Sequence, residues 1–209
     1  VEKMTAPKEI HVPGDISSAA FWLVAASIIE GSDVILKDVG INETRTGIID
    51  VLKDMGADIQ LLNVRDEVEP LADIRVRYAK LHGTIFGADI MPRLIDEIPI
   101  IAVAAMFAEG TTKITGAGEL RVKETDRLQV ITDEFNKVCP CIEGLEDGMV
   151  ITGGQKDNLK FARCNSHDDH RIAMALAILG AAGVGVEIEN SECVNISYPT
   201  FYDILTRFE

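Results

Sequence analysis

The chain repeats one pattern three times, and this repeat limits the folds that it can adopt. Each copy contains a segment rich in small and apolar residues, at 17–29, 98–110 and 172–183. These segments have no clear polar face, so each predicts a helix that is buried nearly all round. Each is followed by a short strand pattern, at 33–37, 111–115 and 184–188, and then by an amphipathic helix, at 44–55, 123–138 and 198–208.

The first two copies also end with strands, at 57–62 with 74–78 and at 141–142 with 149–151. Strands that alternate with helices over short connections are typical of layered α/β folds rather than of separate domains. The third copy stops without a closing strand. We therefore expect that strand to come from another piece of chain, and we interpret the 209 residues as a fragment, or half, of a larger protein.

The charge and composition of the chain argue against several classes of partner. Its net charge of −14 disfavours nucleic acid and anionic membranes. No run approaches the roughly 20 apolar residues of a bilayer span, and the start of the chain lacks the apolar region of a signal peptide. The four cysteines match neither a secreted disulfide framework nor the usual zinc spacing. We therefore expect reduced, structural thiols in a cytoplasmic protein.

The helix predicted over 123–138 begins with charged residues. Its apolar residues recur at helical spacing and form one face: Leu128, Ile131, Phe135 and Val138. One turn earlier the same face carries Glu124 and Arg127, and Lys123 lies beside them. Burying a charge is costly unless it is paired or meets a ligand. These charges therefore either form an ion pair that closes the helix end or bind a ligand.

An aspartate precedes each of the three buried helices: Asp15, Asp96 and Asp169. An acidic residue at a helix start commonly caps the helix, and we assign this role to Asp15. Asp96 comes before Pro99, which suits the first turn of a helix. Two roles stay open for Asp96. It is either a plain cap, or an acid or base whose pKa is raised by the apolar helix beside it.

The helix starts also predict an anion site. If the three copies are related by rotation, the positive ends of their helices gather on one surface with Lys123, Arg127 and Arg171. Helix N-termini and arginine bind phosphate or carboxylate even in an acidic protein. For Arg171 the alternative is a side chain that extends along the protein surface; we prefer a buried arginine that faces an anion. A metal site at 167–170 is disfavoured, because adjacent residues entering a helix point to different sides.

Four motifs of the chain occur in a distinctive order: Gly14-Asp-Ile-Ser-Ser-Ala, Arg121-Val with Lys123-Glu-Thr-Asp-Arg127, Asp169-His-Arg171 and Ser197-Tyr-Pro199. Together they resemble the C-terminal half of the 5-enolpyruvylshikimate-3-phosphate synthase (3-phosphoshikimate 1-carboxyvinyltransferase) family. The resemblance implies an inverse α/β barrel-like domain built from three βαβαββ repeats, the third truncated. It also implies a leading strand or hinge segment at 1–12, this single domain over 13–209, and a second domain with the active site between the two.

The family reaction implied by the resemblance moves the enolpyruvyl group of phosphoenolpyruvate to the 5-hydroxyl of shikimate 3-phosphate and releases phosphate. Both substrates and the missing N-terminal domain are the implied partners; no cofactor and no metal are implied. By position, Asp96 corresponds to the proton acceptor at the shikimate hydroxyls, and Glu124 to a proton donor for the methylene carbon. Arg127 and Arg171 correspond to the arginines that hold the phosphoenolpyruvate carboxylate. Lys123 corresponds to a lysine directed at the shikimate moiety.

Two positions depart from the family pattern. Ile196 stands where many members have a lysine, so the implied phosphoenolpyruvate site lacks one cation. Glu119 stands where some members have an asparagine directed at the substrate, and we leave it off the catalytic list. Two alternatives share the architecture: a UDP-N-acetylglucosamine 1-carboxyvinyltransferase and a non-catalytic anion-binding domain. Ile196 slightly favours the second of these, whereas the presence of both Asp96 and Glu124 argues against it.

Overall fold

A computed structural model describes residues 11–66 and 68–207. The predicted leading segment, 1–12, therefore lies almost wholly outside the described residues. The α-helices are α1 (Ile16–Ile28), α2 (Gly47–Asp54), α3 (Ile98–Phe107), α4 (Arg127–Val138), α5 (His170–Ala182) and α6 (Phe201–Leu205). The β-strands are β1 (Asp33–Gly40), β2 (Asp58–Asp66), β3 (Pro70–Arg77), β4 (Ile85–Phe86), β5 (Thr111–Ile114), β6 (Ile142–Gly144), β7 (Met149–Thr152), β8 (Ala162–Asn165) and β9 (Val186–Glu189).

Helices α1, α3 and α5 pack against one another in the hydrophobic core. Nearly every residue of α1 and α3 is buried, and so is the central part of α5 from Ile172 to Leu179. Their many alanines allow the helices to approach closely, and a helix that protein surrounds on all sides needs no polar face. The three predicted buried helices are therefore confirmed, with small shifts at their ends.

The strands form three separate sheets, one for each repeat. The second sheet has the order β4-β5-β7-β6, with β4 parallel to β5 and the other pairs antiparallel. The first sheet has the order β1-β3-β2, and a parallel bridge between Gly14 and Val39 takes the place of its first strand. Both copies therefore follow the βαβαββ order that the resemblance implies.

The third repeat is shorter. Among residues 11–66 and 68–207, its sheet contains only β8 and β9, which pair in parallel. In the first two sheets, β1 and β5 occupy the position that β9 has in the third. There β1 also pairs with β3, and β5 also pairs with β7. Within the described chain, β9 has no strand on that side. This agrees with the truncated third repeat expected from the sequence, while the source of the closing strands stays a prediction.

The amphipathic helices are shorter than predicted. Helix α2 begins at Gly47 rather than at residue 44. Helix α6 covers only Phe201–Leu205, and residue 208 of its predicted range lies outside the described residues. Asp15 caps α1 as predicted, because its carboxylate accepts a hydrogen bond from the backbone N–H of Ser18 at 3.0 Å.

Helix α4 begins at Arg127, four residues later than predicted. Gly118–Val122 forms a 3-10 helix, and Asp126 caps α4 by accepting a hydrogen bond from the backbone N–H of Gln129 at 3.0 Å. Glu124 therefore lies in the loop before the helix, and its predicted place on the helical stripe is wrong. The stripe itself is confirmed by the buried residues Leu128, Ile131, Phe135 and Val138.

Candidate active site

The candidate site lies where the N-terminal ends of α3, α4 and α5 meet, and Arg127 is at its centre. The side chain of Arg127 is only 1% exposed. Its Nε donates a hydrogen bond to Oδ2 of Asp169 at 2.7 Å, and its Nη1 donates to Oδ1 of Asp96 at 3.0 Å. Its Nη2 donates to Oε2 of Glu124 at 2.7 Å. One buried guanidinium therefore holds three carboxylates.

These carboxylates keep Arg127 charged. Burial alone would lower the pKa of the guanidinium, but Asp169, Glu124 and Asp96 together outweigh burial and raise it. The sequence left two alternatives here, an ion pair and a ligand site. The structure shows the ion pair: carboxylates of the protein itself occupy the positions around Arg127 at which the sequence predicted an external anion.

Asp169 is the member of the cluster that sequence reasoning did not place in the site. Its side chain is fully buried and caps α5 by accepting hydrogen bonds from the backbone N–H groups of Arg171 at 2.9 Å and Ile172 at 3.4 Å. The same carboxylate binds Arg127, so one group fixes the start of α5 relative to the start of α4. Its alignment with Asp96 in the repeat was the signal that could have identified it.

A turn with unusual backbone conformation positions Asp169. His167 and Asp168 both have left-handed backbones, with φ of 54° and 60°, which is uncommon for residues other than glycine. Oδ1 of Asn165 accepts a hydrogen bond from the N–H of His167 at 2.7 Å, and Oγ of Ser166 accepts one from the N–H of Asp168 at 3.2 Å. These local hydrogen bonds stabilise the turn and so fix where α5 begins.

The residues at 167–170 point to different sides. Nε2 of His167 lies 3.1 Å from Oε1 of Glu134, whereas Asp169 faces Arg127. In the part of the chain that the structure describes, no group of three or more His, Cys, Asp or Glu side chains is placed to hold a metal ion.

Asp96 departs from the sequence predictions in two respects, the helix cap and the direction of its pKa shift. It lies in the 3-10 turn Ile95–Glu97 and does not cap α3, so the predicted cap is wrong. The predicted direction of its pKa shift is wrong as well. Burial alone would raise the pKa of Asp96, but the charges of Arg171, Lys123 and Arg127 outweigh burial and lower it. With 38% of its side chain exposed, Asp96 is an ionised carboxylate that a ligand can reach.

Arg171 and Lys123 approach Asp96 from two directions. Nη1 of Arg171 donates to the backbone carbonyl of Asp96 at 3.2 Å, and its Nη2 lies 3.7 Å from Oδ2. Nζ of Lys123 lies 3.8 Å from Oδ1 of Asp96 and 3.3 Å from Oε1 of Glu119. Arg171 is mostly buried, so the alternative of a surface arginine is wrong. The structure thus brings the predicted site residues into one connected cluster: Asp96, Lys123, Glu124, Arg127 and Arg171.

Glu97, next to Asp96, was not expected in the site. Its side chain is buried, and among the described residues its Oε1 has no hydrogen-bond partner. Nη1 of Arg171 lies 3.7 Å from that oxygen. Burial is the largest effect and raises the pKa of Glu97, although Ser17 and Arg171 act in the opposite direction. Two adjacent carboxyl groups therefore have opposite pKa shifts, down for Asp96 and up for Glu97.

Replacing Glu97 with glutamine should stabilise the domain more at neutral pH than at low pH. In the native state Glu97 keeps its proton above the ordinary pKa of 4.5, where the unfolded chain has lost it. Stability therefore falls as the pH rises from the unfolded to the native pKa. Glutamine keeps the shape of the side chain without ionising, so it removes this loss. Urea unfolding at about pH 4 and about pH 7 measures the difference.

The exposed Glu143 provides the control for that experiment, since Glu143→Gln makes the same chemical change on the surface. Its effect on the unfolding free energy should be small at both pH values. An equal shift for Glu97→Gln at both pH values would contradict the assignment of a raised pKa to Glu97.

Comparison with known proteins decides the family. The EPSP synthase (3-phosphoshikimate 1-carboxyvinyltransferase) family profile matches residues 1–205. The chain belongs to the EPSP synthase family. Among curated members, the 3-phosphoshikimate 1-carboxyvinyltransferase of Synechocystis sp. is 55% identical over 201 residues, which are 95% of this chain and 44% of that protein. The one of Pelotomaculum thermopropionicum is 52% identical over 202 residues, which are 96% of this chain and 46% of that protein.

Solved structures confirm the fold of this EPSP synthase-family chain. EPSP synthase from Acinetobacter baumannii superposes with a TM-score of 0.89 at 44% identity, covering 94% of this chain and 46% of that one. The enolpyruvyl transferase NikO from Streptomyces tendae superposes with a TM-score of 0.70 at 17% identity, which shows a shared fold alone. The predicted inverse α/β class and the match to the C-terminal half are therefore confirmed. The chain spans about half the length of the curated relatives that it matches.

Position 196, at which the family resemblance implies a lysine in many members, faces solvent. Ile196 is 85% exposed at the end of the 3-10 helix Ser191–Ile196. Two residues later, the hydroxyl of Tyr198 accepts a hydrogen bond from Nε1 of Trp22 at 3.0 Å, and both rings pack on Phe201. The Ser-Tyr-Pro segment is therefore anchored to α1, while position 196 presents its side chain outward.

The four cysteines of this EPSP synthase-family chain are free thiols. Burial raises the pKa of Cys164 to about 11 and, with a smaller contribution from Cys139, raises the pKa of Cys141 to about 12. Thiols with such pKa values stay protonated and unreactive at neutral pH. No helix within 11–66 or 68–207 has the length and apolar character needed to cross a bilayer.

Proposed function

We propose that this domain is half of an enzyme that transfers the carboxyvinyl group of phosphoenolpyruvate to the 5-hydroxyl of shikimate 3-phosphate with release of phosphate. The observation that supports this most directly is the cluster around Arg127, in which two carboxylates that solvent can reach lie beside three cations. The addition step needs a base for the hydroxyl, an acid for the methylene carbon and cations for two anionic substrates. The cluster contains a side chain suited to each of these tasks.

Asp96 is the proposed base. Its lowered pKa keeps it ionised at neutral pH, and Arg127 and Lys123 hold its Oδ1 at 3.0 and 3.8 Å. The carboxylate would accept the hydroxyl proton as the hydroxyl oxygen bonds to C2 of phosphoenolpyruvate. A carboxylate with a low pKa is a weak base. Proton transfer is therefore expected to accompany formation of the C–O bond, when the hydroxyl has become more acidic.

Glu124 is the proposed proton donor to the methylene carbon. Its side chain is 50% exposed, and it lies in the loop before α4, where it can move without disturbing a helix. In the addition step C3 of phosphoenolpyruvate gains a proton as C2 bonds to the substrate oxygen. In the elimination step C3 loses a proton as phosphate leaves C2. One carboxyl group beside C3 can serve both steps, first as acid and then as base.

Arg127, Arg171 and Lys123 are the proposed cationic contacts. The planar fork of arginine suits the phosphoenolpyruvate carboxylate, and the point charge of lysine suits the shikimate moiety. Because Ile196 stands where the resemblance implies a lysine, the proposed site has one cation fewer. The carboxylates of the cluster also offset much of its positive charge, so we expect the missing domain to contribute further cations for the two phosphate groups.

The missing N-terminal domain is therefore the proposed partner. Two observations support this partner. The relatives are about twice as long as this chain. In the described residues, β9 has a strand on one side only, so a strand of the partner could pair with its other side. The four free thiols support a reducing compartment, and we propose the cytoplasm. The net charge of −14 argues against nucleic acid as a partner.

Adding the missing domain should convert an inactive chain into an enzyme. Alone, the 209-residue chain should fold but release no phosphate from phosphoenolpyruvate, because it supplies only part of the site. With the second domain in trans, phosphate release should depend on shikimate 3-phosphate. The measurement is a phosphate-release assay with each domain alone and with both together.

The same assay separates the alternatives. Release that depends on UDP-N-acetylglucosamine instead would select the related carboxyvinyltransferase. The third outcome is that a stable two-domain complex and the intact parent protein both bind phosphoenolpyruvate tightly but do not turn it over. This outcome would select the anion-binding domain and reject the proposed activity.

A further inference from the structure

The hydrogen bonds of Arg127 leave little room for an external carboxylate. A guanidinium has five N–H groups. Nε donates to Asp169, Nη1 donates to Asp96, and Nη2 donates to both Glu124 and Asp169. Four of the five N–H groups are thus directed at carboxylates of the protein itself. A ligand carboxylate can form a two-bond contact with Arg127 only if one of these carboxylates moves away.

The three carboxylates differ in how easily they can leave. Asp169 is fully buried and also caps α5. Asp96 lies in the 3-10 turn before α3, where Lys123 and Arg171 also approach it. Glu124 lies in a loop, half exposed, and its hydrogen bond is with Nη2 of Arg127 at 2.7 Å. Of the three, Glu124 can leave Arg127 for solvent with the smallest structural change.

We propose that Glu124 is a placeholder that occupies the ligand position on Arg127 in the free protein, and that a small carboxylate ligand displaces it. The exchange replaces one carboxylate by another. Nη2 of Arg127 therefore keeps a charged acceptor, while Asp169 and Asp96 stay bound to the rest of the guanidinium. The inference rests on the proposed function and adds a step to it: binding of the phosphoenolpyruvate carboxylate releases Glu124, whose carboxyl group becomes free to take up and transfer a proton.

Competition between Glu124 and the ligand has a measurable consequence. If the ligand position is free for only about a tenth of the time, the apparent dissociation constant is about tenfold weaker than the intrinsic one. Removing the charge of Glu124 weakens its hold on Arg127, because a hydrogen bond to a neutral amide is weaker than one to a carboxylate. The variant should therefore bind the ligand more tightly, which is the opposite of what loss of an ordinary binding residue would cause.

Isothermal titration calorimetry of the 209-residue chain with phosphoenolpyruvate tests this. Glu124→Gln and Glu124→Ala should both bind about tenfold more tightly than the wild type. Pyruvate, which has the carboxylate without the phosphate, should show the same order. Glu143→Gln is the matched control, because it removes the same charge from an exposed site on β6 outside the cluster around Arg127, and it should bind like the wild type. Thermal unfolding of each variant verifies that the fold is intact.

Equal or weaker binding by both Glu124 variants would overturn the inference. So would the absence of binding in all of the proteins at millimolar ligand, since a vacated buried guanidinium should take up an anion. The phosphate-release assay tests the proposed function separately. Tighter binding by the variants with no turnover in the two-domain protein would reject only the proposed function. Turnover with unchanged binding by the variants would reject only the placeholder.

Discussion

Arg127→Ala should cost about 3–5 kcal/mol of unfolding free energy, because it leaves the fully buried carboxylate of Asp169 without its charged partner. The backbone N–H groups of α5 would still bind Asp169, which keeps the loss within this range. Urea unfolding measures it. Activity should fall as well: in the two-domain protein the use of phosphoenolpyruvate should weaken by roughly 2–5 kcal/mol if the contact is shielded from water.

Two further variants control the Arg127 experiment. Arg127→Lys keeps a positive charge but not the fork that reaches Asp169, Asp96 and Glu124 together, so an intermediate loss of stability is expected. Arg163→Ala removes an arginine whose ion pairs with Glu187 and Glu189 are exposed, and little change is expected. An unfolding free energy for Arg127→Ala close to that of the wild type would show that Asp169 does not depend on the arginine. Unchanged kinetics would place Arg127 outside the active site.

Asp96→Asn should reduce turnover in the two-domain protein by about 10²–10⁴-fold, the usual contribution of a general base. Stability should change little, because Asp96 is partly exposed and Arg127 keeps Asp169 and Glu124 as partners. Steady-state kinetics with both substrates measure the effect. A loss confined to the Michaelis constants, with turnover preserved, would instead indicate that Asp96 only positions the substrate.

The pH dependence of turnover by the wild-type two-domain protein gives an independent test of the role proposed for Asp96. A base works in its ionised form, and the pKa of Asp96 lies below its ordinary value of 3.8. Protonation of Asp96 should therefore limit the rate only below that pH. An acid limb above that pH would have to arise from another group, such as Glu97, whose pKa is raised above its ordinary value of 4.5. Comparing the pH profiles of the wild type and Glu97→Gln would identify that group.

The order of elements could be predicted because their patterns are local. The segments that became α1, α3 and α5 are apolar on every side, and such segments have no stable place outside a core. Asp15 caps α1 through Ser18, only three residues away. The start of α4 was misjudged, because Lys123 and Glu124 fit a helical pattern but the cap is formed by Asp126. Local propensity does not decide where a helix begins when two starts are compatible with it.

The sequence alone determined the repeat, the buried helices and the residues that carry charge at the helix starts, because periodicity and composition depend only on neighbours along the chain. Only the tertiary structure decided how those charges interact. Arg127 meets Asp169 across 42 residues. Burial raises the pKa of Glu97, whereas the cations around Asp96 outweigh burial and lower its pKa. Coulomb energies and burial depend on distances through space, and these are fixed only when the three repeats pack together.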